Sequence, residues 1–313
     1  MSVISEAEFV DLYLGDGFAD AKGLPGQARR VEAPVEWRAD LERIRQLCAE
    51  KYAATLDPEF ALLEDGVVIR VTQLMDLNGK PVFVLSKSSV QIRPLDMLGL
   101  PDHLQNALMS DTIRGLIFIC GEMGAGKTSS AASLVKARLE AWGGICLAVE
   151  DPPEPFLHGR HGEGRCIQVP VSRRMGGYEE ALVLALRTRA DFLFVGEVRD
   201  GPTAAQVIQA SINGHLIICT GHSGSVTHGI ERLAALGQPL LKNARELLSK
   251  GLVAVIHQSL SMDSDGGRRL TLQSLLFTGE DGPSIREKVH SGKITLLGQD
   301  IANQSSRSLW NDQ

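Results

Sequence analysis

The chain has 313 residues, enough for about two domains that each bury a core. Apolar residues at 43% and charged residues at 22% are those of an ordinary globular chain, which excludes a disordered or fibrous polymer. A net charge of −6 and a pI near 5.8 argue against gripping nucleic acid as its main work, and no apolar run approaches the roughly 18–20 residues of a membrane span.

The N-terminal stretch MSVISEAEFVDLYLGDG is acidic and unlike a secretory signal. RADLERIRQLCAEKYA (38–53) predicts a helix, and GVVIRVTQLM (66–75) with KPVFVLSK (80–87) predicts antiparallel strands turning at Asn78-Gly79. These make a small α+β domain over residues 1–100, closed by the Pro- and Gly-punctuated linker RPLDMLGLP (93–101). From 101 to 313 strands and helices alternate, as in a mainly parallel sheet covered on both faces. GLIFIC (115–120) is a buried strand. The helix after it repeats Ala131, Val135, Leu139 and Trp142 at helical spacing and stops at Gly143-Gly144. ICLAV (145–149), a helix in GYEEALVLALRTR (177–189), FLFV (192–195), a helix from Pro202 to Gly214 and LIICT (216–220) continue the pattern. Helices over 226–236 and 239–250, the strand pair LVAVIHQSL and RLTLQSLLF, and a helical end in PSIREKVHSGKITLLGQDIANQ complete the chain. The five cysteines (48, 120, 146, 166 and 219) show no paired spacing. Cys120, Cys146 and Cys219 lie in apolar runs and read as reduced core residues, the usage of a cytoplasmic protein.

Between GLIFIC and the helix stands GEMGAGKTSS (121–130), in which Gly121, Gly126, Lys127 and Thr128 fill G-x-x-x-x-G-K-[ST]. Small residues let backbone N–H groups turn towards phosphate oxygens, and strand–loop–helix aims a helix N-terminus at an anion. The expected nucleotide-binding set is Gly121, Glu122, Met123, Gly124, Ala125, Gly126, Lys127, Thr128 and Ser129, with Lys127 reaching the outer phosphates and the Thr128 hydroxyl ligating Mg²⁺.

Ligands of such sheets bind beyond the carboxyl ends of the strands. There the chain carries Glu150-Asp151-Pro152-Pro153-Glu154, Gly196-Glu197-Val198-Arg199-Asp200 and Gly221-His222-Ser223. Hydrolysis of ATP needs a carboxylate to orient or deprotonate water and cations to neutralise developing charge. Glu197 is the candidate base. Gly196 stands where many nucleotide-hydrolysing proteins carry a Mg²⁺-binding Asp, which leaves Thr128, phosphates and waters as ligands, with Glu150 and Asp151 as candidate outer ones. His222 is placed to sense the γ-phosphate or the attacking water. His215 reads equally well as a site residue or a buried structural histidine.

Taken together, these segments resemble the secretion-superfamily ATPases that power type II secretion, type IV pili and type IV secretion or conjugation. Over roughly residues 60–300, GEMGAGKTSS is similar to that family's Walker A loop and VEDPPE (149–154) to its aspartate box. DFLFVGEVRD (191–200) is similar to its Walker B segment with Gly-Glu for Asp-Glu, and GHLIICTGHSGS (214–225) to its histidine box. ALR (185–187) and LVAVIHQSL match as well. The resemblance implies an α/β fold, a RecA-like P-loop motor domain with a smaller N-terminal α+β (PAS-like) domain. It further implies a homohexamer using ATP and Mg²⁺, with Glu197, Glu150 and His222 catalytic and Arg70 of GVVIRV completing the site from the N-terminal domain. Such a motor works on an inner-membrane platform protein from the cytoplasmic face of the membrane, with neither membrane insertion nor direct nucleic-acid binding.

There are departures from that pattern. Lys87 stands near a usual N-domain arginine and offers a point charge in place of a bidentate fork. TRA precedes Asp191 where an acidic stretch is usual, Gly221 and Gly224 suggest a looser histidine loop, and HGRHGEGRC (158–166) reads as a solvated excursion. The absence of a four-cysteine zinc element and the segment SIREKVHSGK (284–293) point to the retraction-type or conjugation-type branch. Two other readings remain open, a nucleotide-gated switch subunit with little hydrolysis and a P-loop kinase acting on a small acceptor.

Overall fold

Period-two burial organises the N-terminal part of the chain. In the computed structural model, which describes residues 2–27, 29–87, 92–172, 174, 176–262 and 268–311, the chain forms two units. The first is Met1–Val90 with Asp151–Phe156 and Pro170–Met175, and the second is Gln91–Glu150, Leu157–Val169 and Gly176–Gln313.

The first unit holds α1 (Val3–Glu6), α2 (Arg38–Thr55) and strands β1 (Asp11–Gly15), β2 (Phe18–Lys22), β3 (Val31–Glu32), β4 (Glu59–Glu64), β5 (Val67–Met75) and β6 (Pro81–Lys87). They form one antiparallel sheet in the order β3-β2-β1-β6-β5-β4. The expected hairpin is present, with Met75 opposite Pro81 and the Asp76 carboxylate accepting from the N–H groups of Asn78 and Lys80. Ile69, Val71, Phe83 and Leu85 point inward against Leu41, Ile44 and Cys48 of α2, so alternation turns Arg70 outward. Lys87 is a structural residue: its Nζ donates to the carbonyls of Ser5 (2.6 Å), Ala7 (2.8 Å) and Ile4 (3.3 Å) at the end of α1 and lies over the Phe9 ring. Burial there lowers its pKa, and its charge is committed to those carbonyls.

The second unit is built on β7 (Gly115–Gly121), β8 (Ile145–Glu150), β9 (Gly159–His161), β10 (Gly164–Pro170), β11 (Phe192–Val195), β12 (Leu216–His222), β13 (Leu252–Met262) and β14 (Arg268–Leu276). Their order is β14-β13-β7-β12-β11-β8-β10-β9, with β13, β7, β12, β11 and β8 mutually parallel. The helices are α3 (Asp102–Met109), α4 (Lys127–Trp142), α5 (Gly177–Leu186), α6 (Gly201–Ile212), α7 (Val226–Gly237), α8 (Ala244–Gly251), α9 (Gly282–His290) and α10 (Leu297–Asn311). Every residue of β7 is buried, because both faces are covered. Ile117 and Ile119 meet Ala131, Val135 and Leu139 of α4, while Phe118 and Cys120 lie under Gly229 of α7, where a Cβ would meet the Cys120 sulfur at 3.0 Å. All five cysteines are buried and free. The segment 158–166 is an ordered hairpin of β9 and β10 at the sheet edge, packed on the end of α4 where a Cβ on Gly164 would meet Leu139 at 2.8 Å.

Leu95 and Leu98 also pack into this core, so the stretch before α3 belongs with the second unit. Arg138 of α4 fastens the end of α3 to the same core. Only 5% exposed, its Nη1 donates to the carbonyls of Leu108 (2.6 Å) and Ser110 (2.9 Å), its guanidinium lies over Phe192, and burial pushes its pKa down to about 10. Arg138→Ala leaves two carbonyls unpaired and opens space over the ring. It is expected to lower unfolding free energy by about 2–4 kcal/mol, read as a shift of the urea midpoint.

Candidate functional site

Two backbone constraints shape the loop between β7 and α4. Gly121 ends β7 so close to β13 that a Cβ would lie 2.2 Å from the carbonyl oxygen of Gln258, which excludes any side chain. Gly126, at φ +79°, is the left-handed N-cap of α4 and brings no capping side chain, so the helix N-terminus is open to a ligand. Glu122, Met123 and Gly124 make an exposed tip, Ala125 is buried beneath it, and Thr128 and Ser129 stand half-buried in the first turn of α4.

Lys127 is drawn in, only 8% exposed. Its Nζ donates to the Glu122 carbonyl at 2.7 Å and lies 3.5 Å from His222 Nδ1. His222 Nε2 in turn lies 3.2 Å from Glu197 Oε1. Those partners assign the tautomer: Nδ1 accepts on the lysine side and the Nε2 proton faces the carboxylate. The parallel register causes this meeting, because the ends of β7, β11 and β12 share one edge and are laced together. Gly196 N–H donates to Val149 O (2.8 Å), Val198 N–H to Thr220 O (2.8 Å), and Ser223 N–H to Gly121 O (3.3 Å).

Glu150 ends β8 and is 2% exposed, with Oε1 accepting from Gln168 Nε2 at 2.8 Å. The Gln168 oxygen accepts from Leu157 N–H (2.8 Å) and His158 N–H (2.7 Å), which fixes the amide's orientation. A Cβ on Gly196 would meet Glu150 Cγ at 3.1 Å and the Tyr178 hydroxyl at 3.2 Å, so this position has no room for an aspartate side chain as it stands. Asp151 falls in the first unit, as does Arg70, whose guanidinium lies 3.6 Å from Glu154 with both side chains about half exposed.

His215 lies at the opposite end of β12, where its carbonyl accepts from Gly115 N–H, far along the strand from His222. The expected looseness at Gly221 is replaced by tight packing: Gly221 lies inside β12 opposite Cys120, and a Cβ there would meet the Phe118 ring at 2.7 Å. Asp200 and Ser225 cap α6 and α7, accepting from Thr203 N–H and His228 N–H.

β13, where its pairing with β7 ends, adds two residues that were not assigned to the site individually. Gln258, 1% exposed, donates from Nε2 to Ala125 O, and His257 sits near Ser223, Glu122 and Lys127. Reading the polar residues after the apolar run 252–256 by the strand-end rule used for the other strands finds both.

The family described as "Type II/IV secretion system protein" matches residues 59–295. The type IV pilus retractation ATPase PilT of Pseudomonas aeruginosa is 28% identical over 296 residues, spanning 92% of this chain and 83% of that protein. A twitching motility protein of Neisseria gonorrhoeae is 26% identical over 247 residues, 79% of this chain and 64% of its own length. The crystal structure of the pilus retraction motor PilT with bound ADP superposes with a TM-score of 0.75 at 24% identity, covering 95% of this chain and 88% of that one. The shared fold is a RecA-like P-loop domain accompanied by a smaller N-terminal domain.

Burial lowers the pKa of His257, against smaller opposing effects of the Ser223 backbone and Glu122. The folded chain therefore binds its proton less readily than the unfolded chain, and stability falls as pH drops below the ordinary histidine value of about 6.5. His257→Gln is expected to flatten that acid-side slope, measured as urea midpoints at pH 5.5 and 7.5.

Proposed function

The chain belongs to the type II/IV secretion system protein family, and on that premise we propose that it is an ATP-hydrolysing motor subunit of a type IV pilus or type IV secretion machine. The observation that carries this reading is the continuous contact from Lys127 through His222 to Glu197 beside an uncapped helix N-terminus. It brings a lysine, a histidine and a carboxylate together at one strand edge.

In this reading the loop 121–126 and the first turn of α4 bind the phosphates through backbone N–H groups. Lys127 exchanges its bond to the Glu122 carbonyl for the outer phosphate oxygens. The Thr128 hydroxyl would hold Mg²⁺ arriving with the nucleotide, which when bound would supply neutralisation of charge on the transferred group. The half-buried Thr128 hydroxyl in the first turn of α4 is an oxygen donor of the kind a hard ion takes, which fits an ion arriving with the nucleotide. Glu197 takes the proton of the attacking water. His222, hydrogen-bonded to Glu197, fixes the direction of that carboxylate and links it to Lys127, so occupation of the γ-phosphate position reaches the histidine segment and α7 behind it. Glu150, oriented by Gln168, presents a second carboxylate beside Gly196.

The working assembly is a homohexamer in which Arg70 of one subunit completes a neighbour's site. Its exposed pairing with Glu154 is weak enough to be exchanged. The partner is a platform protein at the inner face of the cytoplasmic membrane, and among the described residues no helix is long and apolar enough to cross that membrane. The retraction-type or conjugation-type branch is favoured, since no zinc-binding cysteine set accompanies the motor.

Lys127→Ala is expected to abolish ATP binding with an unchanged circular dichroism spectrum. Glu197→Gln is expected to bind ATP normally while turnover falls roughly 10²- to 10⁴-fold in a phosphate-release assay. Parent-like turnover in Glu197→Gln removes the base assignment, and barely measurable hydrolysis by the parent favours a nucleotide-gated switch. Native mass spectrometry is expected to show six subunits with a non-hydrolysable nucleotide. Arg70→Ala rings are expected to recover part of their lost turnover when mixed with Glu197→Gln subunits, which supply an intact arginine to sites that keep their base.

A further inference from the structure

We infer that Gln258 is a positioning residue for nucleotide binding: its side-chain amide holds the phosphate loop in the shape that accepts phosphate. The inference rests on reading 121–128 as a phosphate loop. Gln258 belongs to β13, a strand that contributes none of the loop's own sequence, and reaches the loop only through tertiary structure.

Three contacts carry the argument. First, Gln258 Nε2 donates to the carbonyl of Ala125, the residue before the loop's last glycine. A trans peptide directs its C=O and the following N–H to opposite sides. Holding the Ala125 carbonyl against β13 therefore turns the Gly126 N–H away from that strand. Second, the backbone carbonyl oxygen of Gln258 lies only 2.2 Å from where a Cβ of Gly121 would be, so the same residue bounds the start of the loop. Third, Nε2 lies 3.4 Å from the Cβ position of Gly126, so the amide also reaches the loop's last residue. One buried side chain and its own carbonyl thus address both ends of the loop.

The surroundings leave the amide little alternative. A cavity of about 10 Å³ beside it is lined by Leu95, Leu98, Leu134, Ile119 and Ile256, among others, and Ser130 is the other polar residue on its wall. In apolar surroundings a buried donor is costly to leave unpaired, so the bond to Ala125 persists. The opposite amide orientation would set oxygen against oxygen at Ala125, which determines the assignment. The Gln258 oxygen has no partner among the described residues, so the side chain's bonding is concentrated on the loop.

The test compares Gln258→Met, which keeps length and loses the donor, with Gln258→Leu, which loses the donor and adds neither a charge nor a protonatable group. ADP affinity, ATP KM and kcat, and the melting temperature with and without ADP are measured for both, with Lys127→Ala as reference. Both Gln258 variants are expected to weaken ADP binding and raise KM roughly five- to twentyfold, with kcat at saturating ATP changing less than threefold. The ADP-free melting temperature is expected to stay within a few degrees of the parent while the ADP-induced rise shrinks. Parent-like ADP affinity in both variants, with binding lost in Lys127→Ala, overturns the inference and leaves the phosphate-loop reading intact. Retained binding in Lys127→Ala removes that reading and the inference with it. Unfolding of both Gln258 variants without nucleotide also overturns it, since the side chain would then be holding the fold and not the loop.

Discussion

Parallel pairing of five strands in one register is the constraint on which the site depends. Val149, Val195, Cys219, Phe118 and Val255 stand in a row across β8, β11, β12, β7 and β13. Within a few residues of that row each strand turns polar or tight, at Glu150, Glu197, His222, Gly121 and Gln258. A shift of one strand by a single residue would turn each of its side chains to the other face and break the contacts among Lys127, His222 and Glu197. The apolar row therefore does more than bury surface, because it sets the spacing of the groups beyond it.

Charge placement follows from the same edge. A nearly buried ammonium needs partners, and Lys127 has the Glu122 carbonyl and the His222 ring within reach. A carboxylate as buried as Glu150 needs donors, and Gln168 supplies one with its amide locked by two backbone N–H groups. The more exposed Glu197 and His222 stay in contact with solvent, which is what the role proposed for Glu197 as base requires. Small residues permit this density: Gly221 over Phe118 and Gly121 against Gln258 occupy places where a side chain would collide, and a Cβ at Gly196 would press tightly on Glu150. Glycine in these positions serves close approach, in contrast to Gly126, where it serves the left-handed turn into α4.

Much of this was legible in the chain. Helix 38–53, the Asn78-Gly79 hairpin, the alternation after residue 101 and the cores of β7, β8, β11 and β12 follow from periodicity and turn chemistry, which act locally. The short strands β1, β2, β3 and β4 were not read, since DLYLG and FADAK mix polar and apolar residues too briefly to show a period and owe their pairing to the sheet. The helix expected over 239–250 starts instead at Ala244, because the stretch after Pro239 is used in turns whose N–H groups bond back to Gly237. The segment 158–166 looked like loop by composition, yet it pairs as a hairpin because the edge of β8 offers unpaired backbone groups.

For the site itself, the sequence alone determined the loop, its lysine and threonine, and the strand ends carrying Glu150, Glu197 and His222, because each is a local pattern of residue types after an apolar run. Only the tertiary structure decided that Lys127, His222 and Glu197 touch, that Lys87 caps α1, that Arg70 pairs with Glu154, and that Gln168 and Gln258 orient a carboxylate and a backbone carbonyl. The reason is physical: a motif records the chemistry available along one stretch of chain, whereas a hydrogen bond between distant stretches depends on strand order, register and side-chain direction, which emerge when the whole sheet packs.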